Sequence, residues 1–175
     1  IKKFELEALK IEELLKQKVL EMPSSLGIKD SEVTKKTNEF LDVANKTFYS
    51  SRQDIHIIDL GESSCLALGK ILKEKGVENI LAIDERTTRL LVEKPENLQE
   101  ILRSKLHTEI RMNNKNFEMF KGFKVIRSPE LVYVIWKKGL AGLKGEIVLD
   151  AMLYAVKFKG AAISGDEIKE IKRIK

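Results

Sequence analysis

Apolar residues recur along this chain with two spacings, one typical of helices and one typical of buried strands. Residues 55–60 and 79–83 are short, largely apolar runs, which favours strands covered on both faces. Two further short strands are predicted at residues 18–22 and 124–126. A spacing of three and four residues predicts helices over residues 4–17, 30–49, 62–75, 86–92, 96–106, 129–138, 146–157 and 165–172.

The order strand, helix, strand across residues 55–83 determines the predicted fold class. Two strands joined through one helix are expected to be parallel neighbours with a right-handed crossover. Strands that alternate with helices predict an α/β protein, here a three-layer α/β/α sandwich with a mainly parallel sheet. The length of 175 residues fits a single domain over residues 1–175. Residues 108–122 have no clear period and are expected to form an inserted hairpin or a loop.

Composition narrows the classes of function. Cys65 is the single cysteine, so neither an internal disulfide nor a cysteine-based zinc site can form within one chain. No signal-peptide pattern opens the sequence and no apolar run is long enough to span a bilayer, which predicts a cytoplasmic protein without a membrane partner. The net charge of +5 favours an anionic partner.

Two carboxylates follow the central predicted strands. Glu62 comes just after residues 55–60, and Asp84 comes just after residues 79–83. Because the carboxyl ends of parallel strands meet at one edge of a sheet, the two acids are expected to converge there. Carboxylates that stay ionised together need a neutralising cation, and oxygen ligands suit Mg²⁺ or Mn²⁺. Each acid also has an ordinary structural interpretation, Glu62 in the first turn of a helix and Asp84 as a helix cap.

Two arginines lie just beyond the second of these acids. Arg86 and Arg89 present guanidinium groups that bind phosphate in a bidentate manner, so they are candidate contacts to a nucleic-acid backbone. The equally favoured interpretation is that they pair with Glu85 or Glu93.

The remaining residues give weaker indications. Neither His56 nor His107 has a partner motif, and no phosphate-binding or dinucleotide-binding loop is present in the sequence. Trp136, Tyr133 and Phe123 are too dispersed along the sequence to predict a stacking surface for bases.

Several segments together resemble the second half of a PIN domain. The first are G-E-S-S-C-L-A-L-G-K-I-L-K-E-K-G, from Gly61, and the I-L-A-I-D-E-R-T-T-R that follows it. The later ones are F-K-V-I-R-S-P-E-L-V-Y-V-I-W-K-K-G-L and L-D-A-M-L-Y-A-V-K-F-K-G-A-A-I-S-G-D-E-I. They are similar to a prokaryotic or archaeal branch whose central helix opens with Gly-Glu and whose next strand ends in Asp-Glu-Arg. Residues 93–121 then look like an insertion.

The resemblance implies a fold, a cofactor and a site. PIN domains are α/β/α sandwiches, and many are Mg²⁺- or Mn²⁺-dependent ribonucleases whose acidic residues hold the metal. Glu62 and Asp84 would occupy the two later acidic positions, and Glu32 would be a further ligand, with Asp30 as its alternative. The family's first acid ends an N-terminal strand, and no such strand is predicted ahead of the helix that starts at Phe4.

The leading hypothesis is therefore a metal-dependent endoribonuclease that leaves a 3′-hydroxyl and a 5′-phosphate. RNA is the expected partner, family analogy with toxin–antitoxin pairs adds an inhibitor protein, and a homodimer is a further candidate assembly. The alternative hypothesis is a PIN-like fold without catalysis that serves as an RNA-binding or protein-interaction module. A small-molecule α/β enzyme is a third hypothesis, and no positive motif supports it.

Overall fold

The computed structural model describes residues 4–51 and 53–174, and helices dominate it. The helices are α1 (Glu5–Lys16), α2 (Asp30–Asn45), α3 (Leu60–Glu74), α4 (Arg86–Glu93), α5 (Pro95–Leu106), α6 (Ser128–Lys137), α7 (Glu146–Phe158) and α8 (Gly165–Arg173). The strands are β1 (Phe48–Tyr49), β2 (Leu81–Ala82), β3 (Arg111–Met112) and β4 (Val125–Ile126), and short 3-10 helices lie at Pro23–Leu26 and Asn114–Phe120. Each predicted helix is confirmed, with bounds that differ by a few residues.

The predicted three-layer α/β/α sandwich with a mainly parallel sheet is wrong. Helix accounts for 63% of the described residues and strand for 5%. The described strands form two separate pairs, β1 with β3 in antiparallel orientation and β2 with β4 in parallel orientation. The parallel pair confirms strands near residues 79–83 and 124–126, but a pair of two-residue strands is too small to form a layer on which helices could pack.

The side chain of Asn45 explains why residues 55–60 do not form the predicted strand. Its Oδ1 accepts hydrogen bonds from the backbone N–H groups of Ile57 and Ile58 at 2.7 and 3.1 Å. Its Nδ2 donates to the carbonyl of Ile58 at 3.0 Å. A side chain at the end of α2 therefore satisfies the backbone groups that a neighbouring strand would otherwise pair. Leu60, expected as the last strand residue, is the first residue of α3.

The larger of two hydrophobic cores lies between α2, α3, α4 and α5 and the second 3-10 helix. Phe40 is fully buried at its centre, and its ring meets the rings of Phe120 and Phe123 edge-on at centroid distances of 5.7 and 5.9 Å. Residues 93–121 supply several buried members of this core, namely Leu98, Leu102, Ile110, Phe117 and Phe120. This segment therefore packs as part of the main body rather than projecting from it.

A smaller core is formed by α6, α7 and α8. Its buried members are Val132, Leu149, Leu153, Ile163, Ile168 and Ile171. By contrast, α1 contributes no buried residue, and its apolar side chains lie at the surface. Across residues 4–51 and 53–174, none of the helices combines the length and apolar character needed to cross a bilayer.

Candidate active site

The antiparallel packing of α2 against α3 separates two of the predicted metal ligands. Asn45, at the end of α2, bonds the segment just before α3, whereas Nζ of Lys36 lies 3.9 Å from Oε1 of Glu74 at the end of α3. Glu32 lies about one turn before Lys36. Glu62 lies about 18 Å along the helix from Glu74, at 1.5 Å per residue. Glu32 and Glu62 therefore lie at opposite ends of this helix pair.

The chain that follows α3 runs back along the helix. The N–H of Val77 bonds the carbonyl of Leu72 at 2.9 Å, and two residues later Nδ2 of Asn79 donates to the carbonyl of Gly69 at 3.1 Å. The absence of a side chain at Gly69 permits this approach, because a Cβ there would lie 2.7 Å from Cδ2 of Leu81. The strand β2 therefore heads toward the N-terminal end of α3.

This return path carries Asp84 toward the end of α3 where Glu62 lies. From Asn79 to Asp84 an extended chain covers about 16 Å. From Gly69 back to Glu62 the helix covers about 10 Å. Glu62 and Asp84 thus lie toward the same end of the α3–β2 unit, although the large sheet at whose edge they were expected to converge is absent from the described residues.

Asp84 is held by the first residue of α6. Its Oδ1 accepts a hydrogen bond from the backbone N–H of Ser128 at 2.7 Å, and its Oδ2 accepts one from the Ser128 hydroxyl at 2.5 Å. The carboxylate therefore lies at the positive end of the α6 dipole. Asp84 therefore has a fixed orientation, and each of its oxygens retains acceptor capacity for a further ligand.

The cap of α4 is Glu85 and not Asp84. The Glu85 carboxylate accepts hydrogen bonds from the backbone N–H groups of Thr87 and Thr88 at 2.7 and 2.6 Å and from the Thr88 hydroxyl at 2.8 Å. Burial opposes ionisation of Glu85, but these hydrogen bonds outweigh it and lower the pKa of the carboxyl group. The structural interpretation of Asp84 as the cap of the following helix is thus wrong, because its neighbour performs that role.

Glu62 has an environment unlike that of most surface acids in this protein. It lies half-buried in the first turn of α3, and its carboxylate makes neither an ion pair nor a side-chain hydrogen bond with the described residues. The hydroxyl of the next residue, Ser63, is completely buried and has no hydrogen-bond partner in the described part of the chain. An unsatisfied buried hydroxyl calls for a further partner such as a water or an ion.

Cys65 lies close to Glu62 but is not a nucleophile in this setting. Burial raises the pKa of its thiol, and the negative charge of Glu62 raises it further. The thiol therefore stays protonated near neutral pH, which leaves it without the reactivity of a thiolate.

The described residues contain no group of three or more His, Cys, Asp or Glu side chains placed to hold a metal ion. Glu62 and Asp84 lie toward the N-terminal end of α3. Glu32 and its alternative Asp30 lie in the first turn of α2, which packs near the C-terminal end of α3. Mg²⁺ nevertheless needs only one or two protein carboxylates when waters and substrate phosphates complete its shell. Glu62 and Asp84 could supply two such carboxylates to an ion that binds together with a phosphate ligand.

The two predicted phosphate-binding arginines have different surroundings. Arg86 is exposed at the first position of α4, and its guanidinium has no partner among the described side chains. The Arg89 side chain is only 16% exposed, and its Nε lies 3.9 Å from Oε2 of Glu93. The interpretation as an ion pair therefore holds for Arg89, whereas Arg86 remains available to an anion.

A charged cluster joins the start of α6 to the start of α8. Arg127 donates from Nε to Oε1 of Glu130 at 2.7 Å and from Nη1 to Oε1 of Glu167 at 3.0 Å. A hydrogen bond from the backbone N–H of Ser164, followed by the Arg127 guanidinium, outweighs burial and lowers the pKa of Glu167 from 4.5 to about 2. Sequence reasoning did not single out these residues, because the partners are far apart in the chain.

The lowered pKa of Glu167 makes part of the stability dependent on pH. Because its folded-state pKa lies below its unfolded-state value, the contribution is fully present above about pH 4.5 and is lost as the pH falls through about 2. We expect the urea midpoint of wild type to drop more steeply over this range than that of Glu167→Gln. Asp166→Asn, which removes an exposed ion pair with Lys169, is the matched control and should follow wild type. Identical pH profiles for wild type and Glu167→Gln would contradict this account.

Two of the aromatic residues that looked dispersed in sequence meet on α6. The ring centroids of Tyr133 and Trp136 lie 6.1 Å apart with an interplanar angle of 39°. The sequence could have predicted this contact, because residues three positions apart on a helix share one face. Phe123 instead packs against the main core.

No protein-family model, curated protein or solved structure matches this chain. The resemblance to PIN domains therefore stays a prediction from the motifs.

Proposed function

We propose that this protein is a metal-dependent ribonuclease whose reaction centre lies at the end of α3 that carries Glu62 and Asp84. The observation that supports this proposal is the shared location of an unpaired, half-buried carboxylate and a second carboxylate held in one orientation. The buried, unsatisfied hydroxyl of Ser63, the residue after Glu62, adds a polar group in need of a partner. Acids so placed suit a hard divalent cation.

Each residue has a distinct part in this proposal. Asp84 would bind Mg²⁺ or Mn²⁺ directly, because the two hydrogen bonds from Ser128 orient its carboxylate as the partners of metal ligands usually do. Glu62 would bind the ion directly or through water. When bound, the ion would offset charge on the phosphodiester and lower the pKa of water. Arg86, exposed and unpaired among the described residues, would contact a neighbouring RNA phosphate.

The proposal includes a substrate and a compartment. RNA fits the net charge of +5, and the single cysteine fits the reducing cytoplasm. Glu32 is no longer included among the proposed ligands, because the antiparallel packing of α2 and α3 carries it to the other end of the helix pair.

The test compares the same substitution at the two ends of this pair. End-labelled single-stranded RNA is incubated with the protein and Mn²⁺, and parallel reactions contain EDTA. We expect Glu62→Gln to lower the rate of metal-dependent cleavage by about 10- to 100-fold. We expect Glu32→Gln to cleave at the wild-type rate, because Glu32 lies far from the proposed centre.

The outcomes separate the hypotheses. Equal losses in Glu62→Gln and Glu32→Gln would contradict the proposed location of the centre. A folded protein without any metal-dependent cleavage would overturn the nuclease proposal. It would favour the second candidate, an RNA-binding module without catalysis, which is supported by the paired Tyr133 and Trp136 next to surface lysines.

A further inference from the structure

A cavity at the C-terminal end of α6 combines aromatic surface with positive charge. It has a volume of about 410 Å³ and lies between α6, the loop before α7 and the end of the described chain. Tyr133 and Trp136 line it together with Lys137 and Lys144, and no carboxylate residue of the described chain contributes to its lining. The cleft around Arg89 differs, because the glutamates there neutralise its arginines.

The aromatic rings of this cavity are held in place by hydrogen bonds. Nε1 of Trp136 donates to the carbonyl of Gly145 at 2.9 Å, and the hydroxyl of Tyr133 donates to the carbonyl of Ile174 at 3.1 Å. Lys137 donates to the Tyr133 hydroxyl at 3.1 Å, and its ammonium lies 5.4 Å from the centre of the same ring. Because the rings are already oriented, a ligand that stacks on them incurs little ordering cost.

The chemistry of the lining identifies the class of ligand. Flat aromatic side chains offer stacking surface to planar groups, and lysines attract anions. A ligand that satisfies both is planar at one end and negatively charged at the other, which describes a nucleotide. A purely apolar side chain from a protein partner would leave the charge of Lys144 without a counterpart among the described residues.

We propose that this cavity binds one nucleobase of single-stranded RNA, which stacks on Trp136 while its phosphate lies beside Lys144. The inference rests on the proposed function in that RNA is the ligand, but it requires neither metal nor cleavage. Ser128, which holds Asp84, opens the same helix that carries Trp136 about 12 Å further along. A base bound here would therefore anchor the strand at a short distance from the proposed reaction centre.

The cavity contains its own reporter. Trp136 is the single tryptophan of the chain, so its fluorescence reports on this site alone. The full chain is titrated with an oligoadenylate hexamer in EDTA, and in parallel with inorganic polyphosphate and with an apolar dye. We expect the RNA to quench the indole fluorescence with saturation and polyphosphate to leave it almost unchanged, because only a stacked base contacts the ring.

Variants assign the contacts. Lys144→Ala should weaken RNA binding and reduce the slope of log K against log salt by about 0.7, the value for one phosphate contact on a single strand. Lys159→Ala is the matched control, because Lys159 follows α7 about 20 Å from the end of that helix next to Lys144, and it should bind as wild type. With labelled RNA, Trp136→Leu should bind about tenfold more weakly, whereas Trp136→Phe should retain most of the affinity.

Three results would overturn the inference. Equal quenching by polyphosphate and RNA would identify a phosphate site without stacking. Quenching by an apolar dye but not by RNA would identify a site for an apolar protein segment. If neither RNA, polyphosphate nor the dye quenched the fluorescence, the cavity would not be a binding site. Loss of cleavage with intact quenching would overturn only the nuclease proposal, and intact cleavage without quenching would overturn only this inference.

Discussion

Replacement of Asp84 by asparagine is expected to lower metal-dependent RNA cleavage by about 100-fold or more and to leave the fold intact. Asparagine keeps an oxygen that can accept the hydrogen bond from the Ser128 N–H, so the junction between β2 and α6 should persist. It removes the negative charge, which is the property that a divalent cation requires. The rate is measured with Mn²⁺ and end-labelled RNA, and the midpoint of thermal unfolding is measured on the same preparation.

Ser128→Ala is the control that separates the charge of Asp84 from its orientation. This change removes the hydroxyl that donates to Oδ2 at 2.5 Å but leaves the carboxylate and the backbone hydrogen bond in place. We expect a loss of about tenfold in rate, as is usual when a partner of a metal ligand is removed. Cleavage by Asp84→Asn at the wild-type rate would exclude Asp84 from the reaction centre, and an unfolded Asp84→Asn protein would show that its role is structural.

The second large effect is expected at Asn45. Asn45→Leu should lower the free energy of unfolding by about 3 kcal/mol, because it leaves the backbone groups of Ile57 and Ile58 without their three hydrogen bonds, each worth about 1 kcal/mol. No neighbouring strand of the described chain bonds these residues instead. Urea unfolding followed by circular dichroism measures the change.

Two further variants make the Asn45 result specific. Asn38→Leu places the same substitution at an exposed position of α2 and should change the stability by less than about 0.5 kcal/mol. Asn45→Asp keeps the acceptor for both N–H groups but loses the donor to Ile58, so its stability should fall between those of wild type and Asn45→Leu. If Asn45→Leu were as stable as Asn38→Leu, the explanation given above for the missing strand would be wrong.

The α-helices of the described chain were predictable from sequence because helix periodicity is a local property, whereas the strands predicted at residues 18–22 and 55–60 do not form. The spacing of apolar residues over three and four positions identified every α-helix of the described chain, including α6 with Pro129 in its first turn, but neither of its 3-10 helices. The predicted crossover through α3 was wrong, since residues 55–60 form no strand and the parallel partner of β2 is β4. The chain after α3 nevertheless runs back along the helix and carries Asp84 toward the end where Glu62 lies.

The partners of those elements were decided only by tertiary structure. A short apolar run such as residues 55–60 carries the pattern of a buried strand, yet the side chain of Asn45 satisfies its backbone. The separation of Glu32 from Glu62 follows from the antiparallel packing of α2 and α3, which no local pattern encodes.

The same limit applies to individual side chains. The hydrogen bonds from Ser128 to Asp84 and the cavity beside Trp136 each join residues that are remote in sequence or that come from separate elements. Sequence by itself therefore determined which segments are helical and which acids and aromatic residues are available. Tertiary structure determined which of them meet. The sequence around a carboxylate or an indole can be the same whether that side chain caps a helix, fills a core or faces a ligand.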